Sequence, residues 1–417
     1  MPYISQGRQV PRQVGLSAGS DYRCRQSAGG SASQGGRRRF GGALDLDEVI
    51  RCTGTDMTPA YHQRRQQVLA RVPETAEAFL VLGSANVRYL TGFTGDSTWL
   101  LLGRERVIAL SDQRYQYQLA EECPELEARI RPVGTQLLDW TIEVVQDLGW
   151  RSLAYPADRL TVADWNRLRE ALPQVHWEAV NGLVEAERMR KDESELAALR
   201  EALAIAERAM ARWCATVRPQ DTEKELADRL DQLMREEGAE GASFPVMVAA
   251  NERSAHPHAR PRRQPIGACE LLLVDWGVDM GYKSDLTRVF AGRTISARLR
   301  SAYEAVHRAL EAALAEVQPG VKACRVHQAA WQALREAALG DYFLHSTGHG
   351  LGLEVHEGPV LRPRNEQELV PGMVLTIEPG IYFPDWGGVR LEEEVLVTAS
   401  GCEVLSCWPR ELRCLWA

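Results

Sequence analysis

"HSTGHGLGLEVHEGP", residues 345–359, places His345, His349 and His356 four and seven residues apart, in a chain with only 9 histidines among 417 residues. Few side chains in this stretch could pack a core. Its glycines allow a close backbone approach that bulkier residues would prevent, so we read the histidines as site residues and the glycines as clearance. Gly348, Gly350 and Gly352 superficially follow a dinucleotide-loop spacing, but His349 and Leu351 interrupt it and no helical pattern follows.

Carboxylates at strand ends flank this stretch. "LLLVDWG" carries Asp275 at the end of an apolar strand, and ten residues later "YKSDLTRVF" carries Asp285 at the start of another. One such Asp is usually a turn or cap residue. Two on a hairpin can aim into one cavity. The pattern recurs downstream, where "VLTIEPGIY" puts Glu378 inside an apolar strand and "RLEEEVLV" puts Glu392 in the next, with Glu393 and Glu394 read as facing solvent. Burying Glu378 among Leu375, Ile377 and Pro379 is costly without a cation. Four converging carboxylates would repel one another, and two divalent ions neutralise them. Oxygen donors with one imidazole favour Mn, Co or Zn over copper.

Together, "HSTGHGLGLEVHEGP", "VDWGVDMGYKSDLTRVF", "TIEPGIY" and "GGVRLEEEVLVT" resemble the pita-bread metallopeptidases, the family of prolidase, aminopeptidase P and methionine aminopeptidase. "NVRYLTGFTG" and "RMRKDESELAALREA" resemble the N-terminal domain and domain junction of the prolidase and aminopeptidase P branch, so the likeness spans roughly 61–405. The resemblance implies metal ligands Asp275, Asp285, His349, Glu378 and Glu392, with Asp285 and Glu392 bridging two ions, manganese first among them. It also implies that His356 and His258 act on the scissile carbonyl, that Glu378 moves the proton, and that His345 and Arg390 lie against the substrate. His256, beside His258, is read as incidental. Three features depart from the pattern: the interval from Asp275 to Asp285 is one residue short, Glu393 stands where Asp is usual, and "SFPVMVAANERSAHPH" is worded differently.

The fold class expected is an α/β N-terminal domain, residues 57–187, followed by an α+β pita-bread catalytic domain, residues 188–417. "AFLVL", "TWLLL" and "RVIAL" alternate with helical patterns in the first half. "KDESELAALREALAIAERAM" then opens with Asp192 and Glu195 as a capping box. Two helix pairs, each followed by strands, suggest an internally duplicated unit. Residues 1–56 hold seven arginines and a single acid before Gly41 and lack apolar periodicity, so we expect a disordered extension and a functional chain that can begin at Met57.

A net charge of −8 argues against a nucleic-acid partner. No apolar run approaches the ~20 residues of a membrane span, and a cytoplasmic enzyme is expected. The nine cysteines are scattered with no C-x-x-C, and we expect reduced, mostly buried thiols. The expected activity is hydrolysis of the bond between an N-terminal residue and proline by a homodimeric Xaa-Pro dipeptidase acting on proline-containing peptides. Aminopeptidase P activity on longer peptides is the alternative. A metal-free creatinase-like hydrolase or a binding protein is the reading from another class.

Overall fold

Four consecutive apolar residues in "AFLV" and in "WLLLG" suit strands covered on both faces, and a computed structural model describing residues 58–416 places them centrally in a sheet. The expectations for residues 1–56 and for Met57 lie outside the described residues. The sheet contains β1 (Ala78–Val81), β2 (Trp99–Gly103), β3 (Val107–Asp112), β4 (Glu127–Arg131), β5 (Ser152–Pro156) and β6 (His176–Val180). Its order is β4-β3-β2-β1-β5-β6, antiparallel from β3 to β1 and parallel at both flanks. Phe79 and Val81 join a core with Val68 and Leu69 of α1 (Thr58–Leu69) and with Val87 and Leu90 of α2 (Ser84–Thr91). Their neighbours Ala78 and Leu80 point oppositely, towards Leu138 and Val145 of α4 (Leu137–Leu148) and Leu168 of α5 (Val162–Ala171). The short α3 (Gln116–Glu122) and α6 (Leu183–Arg188) complete this half.

Asp192 starts α7 (Glu193–Cys214) with a reciprocal capping box: its side chain accepts from Glu195 N, and the Glu195 carboxylate accepts from Asp192 N. Leu196, Leu199, Leu203, Ala206 and Met210 are buried along one face, as their spacing requires. α8 (Glu223–Glu236) pairs with α7 and precedes the two-residue β7 (Gly241–Ala242), and α9 (Ala297–Glu316) pairs with α10 (Ala323–Glu336). Each pair precedes a three-stranded antiparallel sheet: β8 (Met247–Ala250), β9 (Leu271–Trp276) and β12 (Leu286–Ala291) after the first, β13 (Val374–Ile377), β16 (Glu393–Val397) and β17 (Cys402–Val404) after the second. The duplication inferred from sequence is therefore visible as repeated architecture. Along β9, Leu271 and Leu273 pack with α9 and α10, whereas Leu272, Val274 and Trp276 pack with α7 and α8.

Three expectations need correction. Glu393 and Glu394 do not face solvent; both are buried, Glu393 between Arg288 and Arg410 at 2.8 Å each. Glu378 is not inside a strand but in the break between β13 and β14 (Gly380–Phe383), because Pro379 has no N–H to continue the ladder. Of the seven described cysteines, only Cys123 and Cys269 are buried.

Candidate metal centre

Strand pairing brings the acids together. In the β9–β12 register Asp275 lies opposite Thr287 and Trp276 opposite Leu286, so Asp285, two residues before Thr287, shares the face of Asp275. The missing residue of the Asp275–Asp285 interval falls in the excursion through β10 (Val278–Met280) and β11 (Tyr282–Lys283), which turns tightly at Gly281 with φ +83°. The β9–β12 ladder keeps its register. On the second sheet Ile377 pairs with Glu393, and β14 pairs with β15 (Gly387–Arg390) through Gly380 and Arg390. Glu378 and Glu392 therefore face each other across the gap between the two ladders.

The histidine loop reaches this point only because it lacks side chains. A Cβ on Gly348 would lie 1.9 Å from Thr376 O, and one on Gly350 would lie 1.9 Å from Gly358 O. His349 is then fixed from both ends. Its N–H donates to Thr376 Oγ1 at 3.1 Å, and its Nδ1 donates to Gly350 O at 3.0 Å. That leaves Nε2 as a lone pair, 3.5 Å from Glu378 Oε1 and 3.7 Å from Asp285 Oδ2. Donor atoms of Asp285, His349 and Glu392 all lie within 4.8 Å of one another.

Charge imbalance marks the cavity. Burial, then repulsion among Glu392, Asp275 and Glu378, raises the Asp285 carboxyl well above its ordinary range, and Glu392 is raised for the same reasons. Burial pushes Glu378 up to about 7, and it pushes His349 down to about 4. Arg390 is the nearby cation, donating through Nη2 to Asp275 Oδ2 at 2.6 Å. Asp275 Oδ1 is buried without a partner. An orphaned carboxylate oxygen, an imidazole lone pair and three further acids on one cavity fit divalent cations of the oxygen-preferring kind.

The remaining expected site residues separate by position. The His356 ring stands edge-on to His349 at 4.4 Å and is exposed, whereas His349 is buried. His258 is exposed, two residues from the equally exposed His256. Both His345 nitrogens are engaged, Nδ1 with Ser346 O at 2.7 Å and Nε2 with Tyr382 OH at 2.8 Å. Sequence reasoning missed Tyr382, which also accepts from Arg390 Nη1 at 2.8 Å, and Thr287, which donates to Glu392 Oε2 at 2.8 Å and accepts from Arg390 Nε at 3.0 Å. Strand alternation from Asp285 could have found Thr287; Tyr382 gave no such signal.

A family model for metallopeptidase family M24 matches residues 197–399, and one for the creatinase/prolidase N-terminal domain matches residues 64–190. The Xaa-Pro dipeptidase of Pyrococcus furiosus is 30% identical over 330 residues, 78% of this chain and 92% of that one. The chain belongs to metallopeptidase family M24. Among solved structures, an Xaa-Pro dipeptidase from Bacillus anthracis superposes with TM-score 0.80 at 32% identity, covering 85% of this chain and 99% of that one. An X-Pro aminopeptidase from Thermotoga maritima gives TM-score 0.75 at 33% identity, over 81% and 97%. The M24 catalytic half thus has the expected pita-bread fold behind a creatinase-type N-terminal domain, and as a family M24 member it is a peptidase that uses divalent metal.

Proposed function

We propose that this M24 peptidase is an Xaa-Pro dipeptidase using two divalent ions held by Asp275, Asp285, His349, Glu378 and Glu392. The observation that carries the reading is the His349 Nε2 lone pair facing the carboxylates of Glu378 and Asp285 at 3.5 and 3.7 Å. Asp285 and Glu392 would be the ligands common to both ions, and a donor set of four carboxylates and one imidazole would suit manganese first. Bound divalent ions supply a nucleophile at neutral pH by lowering the pKa of water from ~15.7 to roughly 7.

The chain's own residues do the rest. Glu378 carries a proton to the leaving nitrogen. His356, edge-on to His349, and His258 at the rim hold the scissile carbonyl and its developing negative charge. Arg390 orients Asp275 and Tyr382. With both nitrogens engaged, His345 acts through Tyr382 to shape the substrate wall. A proline nitrogen carries no N–H, and none of these contacts requires one.

Dipeptidases among the relatives support the shorter substrate; the Thermotoga maritima aminopeptidase keeps longer peptides as the second reading. Residues 57–187 and 188–417 are proposed as the two domains. Among the described residues no helix is long and apolar enough to cross a membrane, which accords with the cytoplasmic location we propose. The homodimer is proposed on family resemblance. Rates on Xaa-Pro and Xaa-Pro-Yaa peptides under Mn, Co and Zn, beside metal stoichiometry and sedimentation, test these statements. Faster cleavage of the tripeptides makes it an aminopeptidase, and full activity after exhaustive chelation refutes the metal mechanism.

A further inference from the structure

The segment 253–263, "RSAHPHARPRR", contains Arg253, Arg260, Arg262 and Arg263 together with His256 and His258 and no acid, in a chain whose net charge is −8. Arg260, Arg262 and Arg263 are exposed, and among the described residues none of their guanidinium groups has a hydrogen bond or ion pair. A run of cations on a solvated face ordinarily needs no explanation. This one is fixed to the site. Pro257 O accepts from Arg390 Nη1 at 3.3 Å, and Ser254 Oγ accepts from Gly388 N at 2.7 Å, so the segment is fastened to the strand that carries Arg390. Further along, Arg253 Nη2 donates to Arg260 O at 2.9 Å, and Arg262 N donates to Glu223 Oε2 at 2.9 Å.

The segment is thereby tied to the rest of the protein at Ser254, Pro257 and Arg262 and braced internally by Arg253, while the three guanidinium groups, two to five residues after His258, stay free. Nearby acids are engaged with other groups and form no ion pair with them. Both Glu223 carboxylate oxygens are taken by the backbone N–H groups of Ala250 and Arg262. Glu270 accepts from Trp386 Nε1 and Ser296 Oγ. Glu252 is exposed and makes no ion pair with them.

Resting on the peptidase reading above, we propose that Arg260, Arg262 and Arg263 form a cationic rim that selects acidic peptides, those with a carboxylate beyond the one every peptide carries at its C-terminus. A fixed set of unpaired cations beside a cleft raises the local concentration of anionic substrate and acts on capture rather than on the chemical step. Its effect lies in KM and kcat/KM and decays as salt shortens the Debye length from ~30 Å at 0.01 M to ~8 Å at 0.15 M.

The test uses the full chain, metal-loaded, on Glu-Pro, Leu-Pro and Lys-Pro between low and physiological salt, beside the triple variant Arg260→Ser, Arg262→Ser, Arg263→Ser. In the unaltered chain at low salt, KM for Glu-Pro is expected roughly 3- to 10-fold below that for Leu-Pro, with Lys-Pro weakest and the spread narrowing as salt rises. In the triple variant the Glu-Pro advantage disappears through KM, while kcat on Leu-Pro is unchanged. Cleavage of Leu-Pro with no low-salt preference for Glu-Pro overturns the rim and leaves the peptidase reading intact. So does a preference that survives in the variant. Failure to cleave any Xaa-Pro peptide under any metal overturns both.

Discussion

Arg390 donates through Nη2 to Asp275 Oδ2 at 2.6 Å, while Asp275 Oδ1, buried beside it, has no partner. One oxygen of the carboxylate is answered by the protein, and the other is the one we propose for a cation.

Replacing Arg390 by Met should therefore act most strongly on the metal-free protein. Breaking a buried pair costs roughly 3–5 kcal/mol, because the surviving charge stays buried. Thermal midpoints with and without chelator should show a larger drop for metal-free Arg390→Met than for the metal-loaded form. Equal drops in the two forms would mean that no cation reaches Asp275.

Asp285→Ala or Glu392→Ala should abolish both metal binding and peptidase activity, whereas Cys269→Ala should keep both. Cys269 is buried in the core and its thiol is pushed up to about 11, which does not suit a ligand. Calorimetric titration of the chelated protein with Mn reads the first effect directly.

His356→Ala should lower kcat by roughly 10²–10³ and leave metal content unchanged, if the imidazole stabilises developing charge. Its ring contacts His349 at 4.4 Å but is exposed, whereas His349 is buried beside the acids. Loss of bound metal in this variant would make His356 a ligand instead.

Glu357 fastens the histidine loop to the domain junction, with Arg188 Nη2 at 2.5 Å from Oε1 and Lys191 Nζ at 3.1 Å from Oε2. Burial alone would raise its carboxyl, but Lys191 and Arg188 outweigh burial and hold it below its ordinary range. A folded-state pKa below the unfolded one stabilises above the unfolded value, roughly 4.3, and that stability is lost as pH falls through the folded value. Glu357→Gln should thus lower the thermal midpoint clearly at pH 7. The gap from the unaltered chain should begin to narrow below roughly pH 4.3 and close only once the pH has fallen through the depressed folded-state value.

Gly350→Ala should impair metal binding and lower the thermal midpoint, since its Cβ would meet Gly358 O at 1.9 Å. Gly401→Ala meets nothing within 4 Å and should be silent. Calorimetry and thermal melts on the two variants check the contrast.

The amino-acid sequence by itself determined the capped start of α7 and the apolar strand that carries Asp275. Those depend on local spacing: the Asp192–Glu195 pair, the helical repeat from Leu196 to Met210, and the apolar run ahead of Asp275. Motif order determined the family as well. Only the tertiary structure decided which acids share the cavity, since Glu392, Glu393 and Glu394 are indistinguishable as neighbours in a sequence. Glu393 is held by Arg288 and Arg410, and Glu394 accepts the N–H of Asp285 at 2.8 Å. Glu392 alone of the three has a donor atom near those of Asp285 and His349. Local pattern sets which face of a strand a residue takes. What waits on that face, cation, carboxylate or open cavity, comes from segments a hundred residues away.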